Sequence, residues 1–255
     1  MSERVRLFGL QIDPVNMTEA VDRLFGWVQS PSGACRYVVT PNADHAVMFQ
    51  EHAGLRAAYD EASLVLADGI SVLLAARILR LRLPQRVAGS DLVPALFATA
   101  ADRVPLKVFL LGAGPGVAER AARNIHARWP RVSVVGTHCP PLGFEKDPAE
   151  NDRILSQIAA LSPDVLIVGL GAPKQELWVH AHRLQIQATI ALCAGATIDF
   201  LAGEKRRAPR WMQRTGLEWA HRLCSEPQRL FRRYARDAWI FPQLICRELL
   251  TNNRG

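Results

Sequence analysis

The sequence has no C-x-x-C pair, no D-x-D, no G-x-S-x-G and no unbroken apolar run of membrane-spanning length. Each absence removes a class of protein. Its five cysteines, an odd number, stand apart at Cys35, Cys139, Cys193, Cys224 and Cys246, so they read as reduced cytoplasmic thiols and not as a disulfide framework. The nearest approach to a D-x-D is Glu150-Asn151-Asp152, at the start of a predicted helix, where acids favour the dipole in any case. His180 and His182 lie two apart in a predicted helix and do not share a face. No metal site is expected from these patterns, and no Ser or Cys arrangement suggests a covalent hydrolase. The longest weakly charged stretch, LQIQATIALCAGATIDFLAG (184–203), carries Asp199 and several small residues, which fits a buried strand and turn better than a membrane span. The N-terminal MSERVRLFGLQID is charged and does not read as a signal peptide.

Acidic residues are scarce in one place only. Residues 1–203 hold 19 Lys and Arg against 19 Asp and Glu, whereas residues 204–255 hold 12 against 5. The whole excess of +7 therefore belongs to the last fifth of the chain. This divides the sequence into a neutral core, 1–203, and a basic appendage, 204–255, suited to an anionic partner such as nucleic acid or a membrane surface.

Six near-continuous apolar runs have strand length: RYVVTPN (36–42), SLVLADG (63–69), KVFLLGAG (107–114), RVSVVGT (131–137), DVLIVGLGAP (164–173) and TIALCAGA (189–196). Helical patterns separate them, among them DHAVMFQEHAGLRAAY, GISVLLAARILRL and QELWVHAHRL. The alternation predicts an α/β fold, a mostly parallel sheet with helices on both faces. The opening VRLFGLQID reads as an extra edge strand.

The predicted strands end in Thr40-Pro41-Asn42, Asp68-Gly69, Gly112-Ala113-Gly114, Gly136, Gly169-Leu170-Gly171-Ala172-Pro173 and Ala194-Gly195. Ligands of open α/β sheets bind at these carboxyl ends. Asp68 is either a ligand-facing acid on that rim or a cap for the helix starting near Ile70. Gly112, Gly114 and Gly116 break the dinucleotide fingerprint, because Val117 stands where the third glycine belongs. A phosphate cradle and a plain tight turn both remain open there. Gln175 either holds a sugar hydroxyl or an active-site carboxylate, or is an ordinary first-turn residue beside Glu176. Arg86, before an expected N-cap at Ser90 or Asp91, either grips a diphosphate or forms a surface ion pair.

In the appendage, Trp211 and Trp219 lie among Arg207, Arg210, Arg214 and Arg222, and Ser225-Glu226-Pro227 reads as a helix stop and restart. Phe231, Tyr234, Ala238, Phe241, Ile245 and Leu249 then recur at spacings of 3 or 4, with Pro242 expected to kink the helix. The pattern fits a helix packed on the core, one lying on an anionic membrane, or a nucleic-acid binder. Each arginine near an anionic leaflet would contribute about 1 kcal/mol.

Taken together, TPNADH (40–45), LADGISV (66–72), RVAGSDL (86–92), FLLGAGPGVAERA (109–121), GLGAPKQELW (169–178) and GATIDFLAGEKRRAPRWMQRTGLEWAHRL (195–223) resemble the WecG/TagA/CpsF family of bacterial glycosyltransferases. The resemblance implies a Rossmann-like core of the GT-E type and an appendage that closes the site at the membrane. It implies an inverting, metal-independent transfer from a UDP-sugar donor to an undecaprenyl-diphosphate-linked acceptor, with no cofactor, at the inner face of the cell membrane. Donor sugars in the family are N-acetylmannosamine, its uronic acid, glucuronic acid or glucose. Asp68 matches the general base, and Thr40 a threonine that orients the base or a sugar hydroxyl. Gln175 and Arg86 match residues around the transferring sugar and diphosphate. Asn42 and Asp199 are assigned to the nucleotide, and Gly112, Gly114, Gly169 and Pro173 to substrate binding. Arg222, Arg229 and Arg232 match arginines that complete the site. This reading leaves room for a homo-oligomer and gives nucleic acid no role.

Overall fold

Apolar side chains alternate between two faces along six short parallel strands, and that alternation creates two cores. A computed structural model of the chain describes residues 3–31 and 33–252; the side chain of Arg214, part of the cationic pattern above, lies outside the described set. The strands are β3 (Arg36–Val39), β4 (Leu64–Val65), β5 (Leu106–Gly112), β6 (Val132–His138), β7 (Val165–Gly169) and β8 (Ile190–Cys193). Among the described residues they form one all-parallel sheet in the order β4-β3-β8-β7-β5-β6. Tyr37, Val39, Phe109, Leu111, Leu166 and Val168 face one core. Val38, Val108, Leu110, Val165, Ile167 and Leu192 face the other.

Two further strands, β1 (Val5–Leu7) and β2 (Leu10–Ile12), precede the sheet. They pair with each other as an antiparallel hairpin and not as the edge strand expected from VRLFGLQID. The buried Asp13 fastens this hairpin beside β4: its backbone N–H donates to the Val65 carbonyl at 2.9 Å, and its carboxylate accepts from the Val65 N–H at 2.9 Å.

Helices cover both faces. On the Tyr37 face lie α2 (Ala43–Glu51), α3 (Ala53–Asp60), α4 (Ile70–Ile78), α7 (Pro148–Leu161) and α8 (Lys174–His182). On the opposite face lie α1 (Met17–Gln29), α5 (Gly89–Thr99), α6 (Val117–Arg128) and α9 (Thr197–Ala202). The stretch DHAVMFQEHAGLRAAY is two helices, because the His52 side chain accepts the Leu55 N–H and starts α3 afresh. The cap of α5 is Ala88, with no side-chain bond, in place of the expected Ser90 or Asp91. Gly136 is not a strand end. It lies inside β6 beside a register shift, where an added Cβ would come within 2.6 Å of Leu161 and 2.7 Å of Phe109.

The topology opens the sheet where neighbouring strands send their helices to opposite faces. This happens at every junction except β4–β3, because β3, β7 and β6 are followed by α2, α8 and α7 on one face and β8 and β5 by α9 and α6 on the other. Such divergence leaves a crevice at the carboxyl ends. The appendage passes over that rim as α10 (Arg210–Thr215) and α11 (Glu218–Ser225). It then stops and restarts as α12 (Pro227–Asn252), a helix that continues through Pro242. The distal part of α12 packs on the Tyr37-face core through Phe241 and Leu244. Among the described residues, no helix is long and apolar enough to cross a membrane.

Candidate functional site

Asp68 follows β4 at the point where the chain must turn into α4. The N-cap of that helix is Gly69, with φ +116° and no side-chain cap bond, so Asp68 is not spent as a helix cap. Its backbone N–H donates to the Pro41 carbonyl at 2.8 Å, which joins the ends of β3 and β4. One bond further on, the Val87 N–H donates to the Ala67 carbonyl at 2.8 Å and brings Arg86 alongside. Among the described residues no group donates a hydrogen bond to the Asp68 carboxylate; its ion-pair partner, Arg86 Nη1, stands 3.8 Å away. The side chain keeps 26% of its surface exposed. Burial raises its pKa to about 6; Arg86, Arg222 and His45 pull it down and Glu218 pushes it up.

Around this acid three guanidinium groups and two more carboxylates form one network. Arg86 Nη2 donates to Asp91 at 2.7 Å, and its Nη1 donates to Glu218 at 3.3 Å. Arg207 also binds Asp91, through both oxygens, with Nη2 to Oδ2 at 2.9 Å. Arg222 donates to Glu218 at 3.2 Å and lies over the Phe200 ring. Asp91 belongs to the core, whereas Arg207, Glu218 and Arg222 belong to the appendage. The sequence reading picked out Arg86 and Arg222 but not Asp91, Glu218 or a site role for Arg207. The appendage reaches the rim closely because Gly216, at φ +80°, turns α10 into α11 directly over Ile70.

Below the rim lies a second, buried polar layer. Gln175 is used at both ends: Oε1 accepts the Gly195 N–H at 3.1 Å, and Nε2 donates to Glu176 at 2.8 Å. The carboxylate it holds is therefore Glu176, which is fully buried. Glu176 lies 3.4 Å from His45 Nε2. Burial alone would lower the His45 pKa, but Glu176, with Asp44 and Asp68, outweighs it and the net shift is upward. Asn42 caps α2, its side-chain oxygen accepting from the N–H groups of Asp44 and His45. Thr40 is buried, and its hydroxyl donates to the Cys193 carbonyl at 3.5 Å. The ends of β3, β7 and β8 are thus tied together beneath Asp68.

The glycine-rich ends contribute close backbone approach. A Cβ on Gly112, whose φ is +110°, would lie 2.6 Å from the Gly169 carbonyl oxygen, and one on Gly169 would lie 2.9 Å from the Gly195 carbonyl oxygen, so β5, β7 and the turn after β8 approach closely through glycine. Gly114 has no such need, and Pro173 follows a cis peptide bond at the start of α8. Asp199 lies on α9 near Lys205 at 3.7 Å, and Lys205 also reaches Glu226 at 2.9 Å. Burial, followed by the opposing pull of Lys205, leaves the Asp199 pKa raised. Arg229 pairs with Glu226 and is 62% exposed, and Arg232 is exposed on α12. The structure brings Asp68, Arg86 and Arg222 together at the rim and Thr40, Asn42 and Gln175 in the layer beneath, and leaves Arg229 and Arg232 outside that cluster. Among the described residues, no three His, Cys, Asp or Glu side chains converge as metal ligands.

The model of the glycosyl transferase WecG/TagA/CpsF family matches residues 5–255. Curated relatives include the N-acetylglucosaminyldiphosphoundecaprenol N-acetyl-beta-D-mannosaminyltransferase of Staphylococcus aureus strain MW2, 28% identical over 229 residues, covering 90% of this chain and 87% of the relative. The protein of the same name from strain NCTC 8325 matches with the same identity and coverage.

Proposed function

The chain belongs to the WecG/TagA/CpsF family of glycosyltransferases, and on that premise we propose that it moves an N-acetylmannosamine-type sugar from a UDP-sugar to a saccharide carried on polyprenyl diphosphate. The reaction is an inverting single displacement that requires no metal. It works at the inner face of the cell membrane, where the basic appendage meets anionic lipid.

Asp68 is the general base. The acceptor hydroxyl attacks the anomeric carbon and gives its proton to the Asp68 carboxylate. The bond from that carbon to the diphosphate oxygen breaks, and its electron pair leaves with UDP. A base is most effective when its pKa lies near working pH, and a value of about 6 satisfies that better than an ordinary aspartate. Arg86, Arg207 and Arg222 stabilise the charge that develops on the departing diphosphate. Glu218, now between Arg86 and Arg222, holds the position of an anion until the diphosphate arrives. Because two of these arginines come from the appendage, the site is complete only when residues 204–255 lie on the core, which also limits wasteful hydrolysis of the donor.

The observation that carries this reading is a rim carboxylate beside Arg86, free of helix-cap duty and without a hydrogen-bond donor among the described residues. Asp68→Asn should lower kcat by about 10²–10⁴-fold with UDP-N-acetylmannosamine and an N-acetylglucosaminyl-diphosphate-lipid acceptor. Full turnover would remove Asp68 from the chemistry. Misfolding is separated by a melting curve at pH 8. A carboxyl whose folded pKa lies above its unfolded value costs the folded state stability above about pH 6, and the cost fades as pH falls toward 4. The asparagine variant should therefore melt no lower than the parent at pH 8.

A further inference from the structure

A groove of about 940 Å³ runs along α4, with Ile70, Leu73, Leu74, Leu81 and Leu83 among its lining residues. It begins beside the reacting site. Ile70 is two residues from Asp68, a span of about 7 Å at most. From there α4 leads away from the rim for about 13 Å. Leu74, 50% exposed, stands open in the groove and with Ile70, Leu73, Leu81 and Leu83 gives it an apolar wall.

Three arginines, Arg77, Arg80 and Arg82, also line the groove, and all are exposed. No acidic side chain among the described residues pairs with them, and residues 69–90 contain four arginines and no Asp or Glu. The neutral charge total of residues 1–203 concealed this local cationic patch. An apolar trough edged by unpaired cations suits a hydrocarbon chain carrying an anionic group. It suits a second copy of this chain poorly, because a two-fold interface would set the same arginines against one another. A flat lipid surface would leave the concavity unfilled.

We propose that this groove takes the first isoprene units of the acceptor's polyprenyl chain. Arg77, Arg80 and Arg82 face the phosphates at the lipid–water boundary. This rests on the function proposed above, which places the acceptor hydroxyl at Asp68. A saccharide and a diphosphate then lie between that hydroxyl and the lipid, so the chain leaves the rim close to Ile70. The elbow at Gly216, packed on Ile70, closes the near end of the groove with the same appendage that completes the site.

The test compares two acceptors with one N-acetylglucosaminyl-diphosphate head, the first on an undecaprenyl chain and the second on a short water-soluble alkyl chain. Leu74→Gln should raise KM for the undecaprenyl acceptor about tenfold and leave KM for the short acceptor and kcat for both unchanged. Arg80→Gln should raise KM for both acceptors, because both carry the diphosphate. Equal effects of Leu74→Gln on both acceptors, or none on either, would overturn the proposal. So would loss of vesicle binding by Leu74→Gln without a change in the acceptor ratio, which would make the groove a general membrane contact. A dimer in the parent that Leu74→Gln dissolves, seen by sedimentation, would assign the groove to a second copy and overturn it too. A parent enzyme that uses neither acceptor would remove the functional reading, and this inference with it.

Discussion

The two ends of the appendage are held to the core by different forces. At the distal end, Phe241 meets Phe8 edge-on with ring centroids 5.3 Å apart, and Phe241 and Leu244 are nearly buried. At the rim end, α11 has no buried residue. It is held by Arg86–Glu218 and by Arg222 lying over the Phe200 ring, while the approach to it is held by Arg207–Asp91. Burial of apolar surface is indifferent to ionic strength, whereas part-exposed ion pairs are screened by salt and contribute little each. On the function proposed above, this makes an arm fixed at its distal end and releasable over the proposed site. Between them, Arg233 and Arg236 reach the buried Asp44 of α2 at 3.5 and 3.1 Å, a mixed contact that marks the changeover.

Either attachment can be weakened by one substitution. The larger effect belongs to the apolar anchor. Phe241→Ala should destabilise the protein by about 3 kcal/mol, the range for truncating a buried aromatic. Its distal helix should become open to limited proteolysis, and a loss below about 1 kcal/mol would show that the anchor lies elsewhere. The smaller effect belongs to the rim. Glu218→Gln should change stability by less than about 1 kcal/mol, because the pairs it breaks are part-exposed. If Glu218 keeps a place for the donor's diphosphate, the variant should bind UDP-sugar several-fold more tightly, with a weaker dependence on salt, as read by titration. Weaker donor binding would instead make Glu218 a support for Arg86.

The sequence disclosed what depends on local pattern. Six apolar runs became six strands because strands buried on both faces need no alternation, and Asp68 stood out as an acid at the end of such a run. The 13-residue α1 was overlooked although Asn16 and Glu19 form a capping box ahead of the buried Ala20, Val21, Leu24 and Phe25. The break between α2 and α3 was invisible because helix-forming residues run on through His52, and only the turn of its side chain onto Leu55 interrupts them. The hairpin at Phe8-Gly9 was read as one strand because its two arms have only three residues each. What remained hidden in the site spans distance in sequence. Arg207 meets Asp91 and Glu218 meets Arg86 across more than a hundred residues, and no spacing rule reports such pairs. Gln175 was noticed, but its two partners, Glu176 and the Gly195 backbone, show it as a brace between loops. Charge composition changes after Gly203, where the chain leaves α9 with φ +70°. That residues 204–255 act as a closing appendage belongs to the proposal above.

If Asp68 takes the acceptor proton as proposed, its titration sets the pH dependence of kcat/KM, since that ratio reports the free enzyme's essential base. With burial holding the acid at about 6, kcat/KM should rise through an acid limb centred near pH 6 and level off above pH 7. The residual rate of Asp68→Asn should lack that limb. An acid limb near pH 4, or one near pH 6 that survives in Asp68→Asn, would contradict the account.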